Sequence, residues 1–273
     1  MDLLIVTVVC IMKNLGAYIV FALLSGLAYF ATDVYLASLP EITKYFGTNN
    51  FLVQSSLGIF MIFLCLGQLI FGTISDYYGR KSTTIIGLII AIIGTVLCLS
   101  AVNIFWLLIG RVLQGFGFSV CISVVRAMPT DLYKGVMLAK FNSIVNVSLS
   151  INLAMAPVIG AIILEYYNWQ SIFGFMLAYV LIILTGTMLF LPETLPQTEE
   201  HVDKTIVDQF KKIKRIIANK TFIYNSIVSA CCSGGIVAFL TMSPYLIKVV
   251  HKLGSFEFGV IHATISVFAV LGH

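Results

Sequence analysis

Six continuous apolar stretches, each about twenty residues long, occupy the first 191 residues of this chain. That is the length an α-helix needs to cross the hydrocarbon core of a bilayer. The runs do not alternate apolar with polar residues, so helices rather than strands are predicted, because a helix satisfies its own backbone polar groups in lipid. The pattern therefore predicts an all-α, polytopic membrane protein.

Eight membrane-spanning segments are predicted in all, and short polar intervals separate most of them. Their approximate bounds follow from the length rule and lie at about 15–37, 52–73, 83–102, 104–126, 138–164, 172–191, 221–247 and 256–273. Residues 1–14 precede the first segment and form an N-terminal lead-in, which is either an interfacial stretch or an extension of the first helix. Asp2 stands where a secretory signal would carry positive charge, so a cleaved signal is not expected.

The composition excludes several classes of function. Hydrophobic residues make up 59% of the chain and charged residues 10%, whereas a soluble domain is about a quarter charged. The net charge of +4 comes from basic residues between apolar runs, so a lipid bilayer is the predicted partner and nucleic acid is not. The six cysteines lie in apolar runs without metal-ligand spacing, and no phosphate loop or nucleophile–base set occurs. We therefore predict no catalytic residue, no metal and no cofactor.

The distribution of lysine and arginine predicts the orientation in the membrane. With the N-terminus in the cytoplasm, twelve basic residues lie inside: Lys13, Arg80, Lys81, Arg126, Lys134, Lys140, Lys204, Lys211, Lys212, Lys214, Arg215 and Lys220. Only Lys44, Lys248 and Lys252 then lie outside, and Arg111 is left within a span. Short loops rich in positive charge stay on the cytoplasmic side, so an N-terminus inside is predicted.

One long polar interval divides the chain. Residues 192–220 separate a bundle of six spans, 15–191, from a further pair, 221–273. Apolar residues recur at helical spacing in this linker, with lysines between them: Val202, Ile206, Phe210, Ile213 and Ile217. The pattern predicts an amphipathic helix, either lying on the inner leaflet or simply joining two bundles.

Several motifs occur in a consistent order along the chain. They are Gly72-x-x-x-Asp76-x-x-Gly79-Arg80-Lys81 between the second and third segments, Arg111-x-x-Gln114-Gly115-x-Gly117 in the fourth, and Pro192-Glu193-Thr194 after the sixth. In this order they resemble the major facilitator superfamily. Thr32-Asp33-Val34-Tyr35-Leu36 with Leu39-Pro40, and Asp131-Leu132-Tyr133 with Ala139-Lys140, are similar to drug:proton antiporters of the bicyclomycin/chloramphenicol resistance (Bcr/CflA) type.

The resemblance implies proton-coupled efflux of small amphipathic drugs across a bacterial inner membrane, with a substrate site between two bundles near the midplane. It implies that Gly72, Asp76, Gly79, Arg80 and Lys81 form a gating loop, and the two glycines are expected to allow tight turns there. It further implies an antiporter helix in the fifth segment, marked by Pro157 and Gly160. Asn152, Ala156 and Ala161 depart from the glycines of that pattern, so a proton-linked metabolite importer of the same fold stays open.

Length raises a third interpretation. The family has twelve helices, whereas this chain ends in or at the end of its eighth, which suggests a truncated, inactive half-transporter or a partial sequence. Substrate, stoichiometry and oligomeric state are not determined by the sequence, although it is compatible with a monomer.

Two charges in the predicted spans are the candidate functional pair. Asp33 lies about 7 Å below the outer end of the first segment, and Arg111 about 10 Å below the same face in the fourth. Charged residues inside a membrane are usually functional and paired, so either an ion pair or a shared water-filled cavity is expected. Tyr35 and Gln114 are expected to support them, Gln114 by a hydrogen bond one turn from Arg111. Gly115 and Gly117, on the same segment, are expected to permit close helix packing. The mechanistic hypothesis is that alternating access switches the protonation of Asp33; the structural alternative is an ion pair that orders the bundle.

Overall fold

The computed structural model describes residues 2–195 and 219–271, and every regular element in these two ranges is helical. The elements are α1 (Asp2–Leu36), α2 (Leu39–Phe46), α3 (Asn50–Tyr78), α4 (Arg80–Leu99), α5 (Ile104–Phe118), α6 (Val120–Leu132), α7 (Gly135–Tyr166), α8 (Gln170–Phe190), α9 (Lys220–Tyr245), a π-helical turn (Leu246–Val250) and α10 (Ser255–Leu271). The amphipathic helix predicted in 192–220 lies almost wholly outside the described residues.

Seven stretches of helix in the described ranges are long and apolar enough to span a membrane. The first begins at Gly16, although α1 itself begins at Asp2, so the lead-in is helical and continuous with the first span. The fourth, Ile104–Leu132, combines α5 and α6, which are interrupted at Ser119. The predicted eighth segment corresponds to α10, a helix of 17 residues. The all-α, polytopic membrane fold is confirmed.

Helix boundaries follow local side-chain chemistry. Asn49, Asn103 and Asn219 precede α3, α5 and α9, and each side-chain oxygen accepts a hydrogen bond from a backbone N–H of the first turn. Such N-caps satisfy donors that the helix itself leaves unpaired. Gly79 separates α3 from α4 with a φ of 97°, a conformation that side-chain-bearing residues rarely adopt. These residues explain where spans end within otherwise continuous apolar sequence.

Glycines allow α4 and α5 to pack with their backbones in close contact. A Cβ at Gly94 would lie 2.4 Å from the backbone nitrogen of Gln114, and one at Gly117 would lie 2.4 Å from that of Ala91. In lipid, where apolar burial does not drive helices together, close packing of small residues supplies much of the association energy. Gly115 likewise faces the backbone of α3, so Gly115 and Gly117 serve close helix approach, as expected from the sequence.

Replacing Gly94 with alanine should lower the free energy of unfolding by about 1–3 kcal/mol, because the added methyl group meets backbone atoms that cannot rotate away. Stability would be measured by SDS titration of the protein in mixed micelles. Gly58→Ala is the matched control, since nothing lies within 4 Å of a Cβ there and alanine favours a helix. Equal effects at the two positions would contradict the close α4–α5 packing.

The last two helices contact the first bundle. Gly259 of α10 lies against α7, where an added Cβ would be 2.7 Å from the Cβ of Ala161 and 3.1 Å from the carbonyl oxygen of Pro157. The π-helical turn that follows α9 contacts α2. The division into a six-helix bundle and a separate second bundle stays a prediction.

Candidate functional site: buried charges in the helix bundle

Arg111 is enclosed by aromatic side chains in the middle of the bundle. It is the largest side chain that is fully buried among the described residues. Its guanidinium carbon lies 4.3 Å from the ring centroid of Tyr35 on α1 and 4.1 Å from that of Phe60 on α3. Cation–π contacts of this kind gain strength when they are removed from water. The cation is therefore held by three helices, α1, α3 and α5.

Gln114 extends the contacts of Arg111 toward α4. Arg111 Nη1 donates to Gln114 Oε1 at 2.6 Å, as the sequence spacing predicted, and Gln114 Nε2 donates to Thr95 Oγ1 at 2.9 Å. Arg111 Nε and Nη2 have no hydrogen-bond partner in the described part of the chain. A buried guanidinium with unused donors is costly. This cost marks Arg111 as a candidate for a role that requires its charge.

Asp33 is also buried, with 5% of its surface exposed, but it forms no ion pair with Arg111. The reason is that Asp33 and Tyr35 point in different directions around the axis of α1. Tyr35, two residues further on, directs its ring at Arg111, and two residues of an α-helix correspond to a rotation of about 200°. Asp33 therefore points to the far side of α1. The direct ion pair, one of the two sequence-based expectations, is wrong for this conformation.

The small residues of α7 pack against α1 next to Asp33. A Cβ at Gly160 would lie 2.5 Å from the carbonyl oxygen of Val34, so the glycine permits backbone contact one residue from the carboxylate. Pro157, one turn earlier, is buried inside α7 and faces α10 through its carbonyl oxygen. The structure thus brings both residues of the predicted antiporter helix between α1 and α10.

The predicted gating loop is shorter than expected. Gly72 lies within continuous α3, which runs to Tyr78, and nothing is within 4 Å of a Cβ at that position. The expectation of a tight turn at Gly72 is therefore wrong, because the apolar helix persists past it. Gly79 alone makes the turn.

Arg80 is the centre of a polar cluster at this end of the bundle. Its Nη1 donates to Asp76 Oδ1 at 2.5 Å and to Ser75 Oγ at 2.6 Å, and its Nε donates to Asp131 Oδ2 at 2.9 Å. The side chain is 9% exposed and that of Asp131 is 16% exposed. We call these four residues the Arg80 cluster. It ties α3 and α4 to α6, because a guanidinium can serve several acceptors in fixed directions.

Glu193, just after α8, caps the first turn of α4. Its two carboxylate oxygens accept hydrogen bonds from the backbone nitrogens of Arg80 at 2.7 Å and Lys81 at 3.1 Å. An anion is favourable at a helix N-terminus, where backbone donors are unpaired. Lys81 reaches back to α8, with its Nζ 2.9 Å from the carbonyl oxygen of Met188. The predicted gating-loop residues other than Gly72 thus meet at one site.

The opposite end of the bundle is joined through Lys248. Its Nζ lies 3.0 Å from the carbonyl oxygen of Ala37 and 3.1 Å from Glu41 Oε1, and the hydroxyls of Thr43 and Tyr245 are 3.0 Å apart. We call these interactions the Lys248 contact. They connect the π-helical turn and α9 to α2, across more than two hundred residues of sequence. The structure is therefore closed between these elements at this end.

Sequence reasoning missed several partners. Phe60, Thr95 and Glu41 carry no local signal, because their contacts are made by residues distant in sequence. Glu193 was noted only as part of the close of the sixth span. A carboxylate directly after a span, on the side rich in basic loops, was an available clue.

Comparison with known proteins agrees with this geometry. The Major Facilitator Superfamily profile matches residues 21–273, almost the whole chain. The chain belongs to the Major Facilitator Superfamily. The buried arginine on the fourth span and the Arg80 cluster at the end of the second are accordingly parts of a fold of this superfamily.

Relatives of this superfamily member include an uncharacterised transporter of Rickettsia felis, 29% identical over 88% of the chain and 58% of the relative. Multidrug resistance protein D of Escherichia coli is 25% identical over 89% of the chain and 60% of the relative. Among solved structures, a bacterial homologue of the human lysosomal transporter Spinster, inward-facing and unoccupied, superposes with a TM-score of 0.73. That match has 18% identity and covers 95% of the chain and 61% of the homologue, so it shows the fold alone. The chain spans about 58–60% of these two sequence relatives.

Proposed function

We propose that this protein takes part in proton-coupled efflux of small amphipathic drugs, as an antiporter of the bicyclomycin/chloramphenicol resistance type. The observation that carries the proposal is the burial of Arg111 and Asp33 within two membrane spans, each without a carboxylate–cation partner among the described residues. Intramembrane charges that are not neutralised by one another are expensive and are kept where transport uses them. The multidrug resistance protein among the relatives supports a drug as substrate.

The protonation of Asp33 is the coupling step in this proposal. A carboxyl group loses its proton more readily when it is in contact with water or a cation, and less readily in an apolar environment. Movement of α1 against α7, which touch at Val34 and Gly160, would change the surroundings of Asp33. Arg111 holds the same stretch of α1 through Tyr35, so it would sense or oppose that movement.

The proposed orientation places the Arg80 cluster in the cytoplasm of a bacterium, at the inner membrane, and the Lys248 contact outside. In that orientation the described conformation is closed to the outside between α2 and the end of α9. The Arg80 cluster would act as the gating loop, and protons and a small molecule would pass in opposite directions. Loss of the Lys248 contact would accompany outward opening.

Replacing Lys248 with methionine should open the outer end more often. A cysteine introduced at buried Ser38, in a chain cleared of its native cysteines, should react about fivefold faster with an impermeant maleimide, because about 1 kcal/mol of polar contact is lost. Lys252→Met, four residues further on and exposed, is the matched control. An unchanged labelling rate in the Lys248 variant would show that the Lys248 contact does not hold the outer end closed.

The efflux proposal is tested in inverted membrane vesicles with ethidium as the probe. Acidification of the lumen should drive accumulation of ethidium inside vesicles that contain the protein, and a protonophore should abolish it. Accumulation no greater than in vesicles lacking the protein, also when the remaining helices of a second bundle are coexpressed, would oppose drug antiport.

Two other candidates are distinguished by the same assay. A proton-linked importer, which Asn152 in α7 leaves open, would move protons and its substrate in the same direction. A half-transporter that requires another chain would show no gradient-driven flux alone, and would regain it when its partner helices are coexpressed. The substrate site of this fold lies between two bundles, so the second bundle is required for full activity.

A further inference from the structure

Two apolar grooves flank α1 on the membrane-facing surface. One lies between α1 and α8, has a volume of about 670 Å³ and begins at Gly16; we call it the α1–α8 groove. The other lies between α1, α7 and α8, has a volume of about 460 Å³ and contains Asn152; we call it the Asn152 groove. Both volumes are in the range of small-molecule pockets. They differ in the polarity of their walls.

The Asn152 groove has three polar side chains on an otherwise apolar wall: Ser148, Asn152 and Tyr179. Asn152 Nδ2 donates to the carbonyl oxygen of Ser148 at 2.9 Å, and the Tyr179 hydroxyl donates to Asn152 Oδ1 over a long 3.4 Å. Among the described residues that line the α1–α8 groove, Thr185 alone has a polar side chain, and its hydroxyl already donates to the carbonyl oxygen of Leu181 at 2.9 Å. The Ser148 hydroxyl likewise donates to the carbonyl oxygen of Ala22 at 2.6 Å, so among the described side chains of the two grooves only Asn152 offers an unused hydrogen-bond donor.

The carboxamide of Asn152 is placed by a glycine on the facing helix. A Cβ at Gly26 of α1 would lie 2.6 Å from the Asn152 carboxamide carbon, so a larger residue there would displace it. One amide hydrogen of Asn152 has no partner in the described part of the chain. An amide hydrogen left unpaired in hydrocarbon is costly, and a ligand oxygen would remove that cost.

The groove can be entered from the lipid. Ile151 and Met155 on its α7 wall are 53% and 52% exposed. Tyr179 lies nine residues from the start of α8, about 14 Å along the helix, and so close to the middle of a bilayer about 30 Å thick. Few donors or acceptors are available to a dissolved molecule at that depth.

We propose that the Asn152 groove is a binding site for a membrane-dissolved, lipid-like molecule that carries a single hydroxyl or carbonyl group. The apolar wall accepts the hydrocarbon body, and Asn152 and Tyr179 bind the polar group at the bilayer midplane. The site lies outside the Arg111 site and stands whether or not the chain exports drugs. The Asn152 groove should bind a molecule with this oxygen more tightly than the matching hydrocarbon, whereas a hydrocarbon chain alone fits both grooves.

A pair of photoactivatable probes tests this site. The full chain in lipid nanodiscs is labelled with a long-chain alcohol bearing a diazirine beside its hydroxyl, or with the matching alkyl diazirine that lacks the hydroxyl. Mass spectrometry should find about fivefold more labelling of residues 144–159 by the alcohol than by the alkane, because one additional hydrogen bond in lipid accounts for an affinity difference of that size. The α1–α8 groove should be labelled equally by both.

Variants separate the site from general lipid contact. Asn152→Leu should reduce alcohol labelling to the alkane level, whereas Thr185→Val, the matched change in the α1–α8 groove, should leave the preference unchanged. Tyr179→Phe is the alternative test if the leucine variant does not fold. It keeps the ring beside Phe30, with centroids 5.1 Å apart, and should also lower the preference for the alcohol. Equal labelling by both probes, or labelling by neither because another segment covers the groove, would overturn the proposal.

Discussion

Replacing Arg80 with methionine should lower the free energy of unfolding by about 2–4 kcal/mol. Methionine keeps the apolar stem but removes the guanidinium, so Asp131, whose side chain is only 16% exposed, loses its cation and Ser75 loses a hydrogen bond. Asp76 is 43% exposed, so loss of its ion pair should lower the free energy of unfolding by less than loss of a fully buried pair would. The backbone bond from Arg80 to Glu193 is unaffected by this change, so the measurement isolates the side chain.

The measurement is SDS titration in mixed micelles, with transport assayed in parallel. Lys81→Met, which removes one bond to a backbone carbonyl, is the neighbouring control and should cost less than about 1 kcal/mol. Arg80→Lys should fall between the two, because an ammonium cannot reproduce the directions of the guanidinium. If Arg80→Met were no more destabilising than Lys81→Met, the Arg80 cluster would not hold α3, α4 and α6 together.

Replacing Arg111 with methionine should abolish gradient-driven transport, by at least about a hundredfold, yet change the free energy of unfolding by less than about 1.5 kcal/mol. The volume between Tyr35 and Phe60 stays filled, and removal of a buried charge with two unpaired donors offsets the lost cation–π contacts. Arg111→Ala should lose transport as well, and should also cost about 3 kcal/mol or more, because it leaves a cavity.

The comparison of these two variants separates a functional from a structural charge. Equal stability loss in the methionine and alanine variants would show that the cation itself orders the bundle. Retained transport by Arg111→Met would show that its charge is dispensable. Gln114→Leu provides a further check, because it removes the one hydrogen-bond acceptor that the guanidinium has among the described residues and leaves the charge in place.

The membrane spans could be predicted from the sequence because the thickness of hydrocarbon sets the length of each helix. The same rule predicts that Asp33 and Arg111 lie in one layer of the bilayer, and that depth stays a prediction. Rotation about the helix axis could not be predicted, because it depends on which face of α1 packs against α5. Tyr35 occupies the position beside Arg111 that the carboxylate was expected to fill.

Contacts between residues distant in sequence were the other feature that could not be predicted. The carboxylate of Glu193 on the α4 N-terminus and the ammonium of Lys248 on α2 join residues more than a hundred apart. The turn at Gly72 was wrong for a local reason, since an apolar helix tolerates a glycine when no tertiary contact requires a bend. By contrast, the close approach at Gly115 and Gly117 was predicted, because small residues in a span serve mainly to pack helices.

The proposed role of Asp33 is tested most directly by two flux measurements on Asp33→Asn in reconstituted vesicles. Accumulation of ethidium driven by a proton gradient should be lost, because asparagine has no titratable proton, whereas downhill equilibration of ethidium should continue at a rate within about threefold of the unmodified chain. Gradient-driven accumulation at the unmodified level would contradict the account.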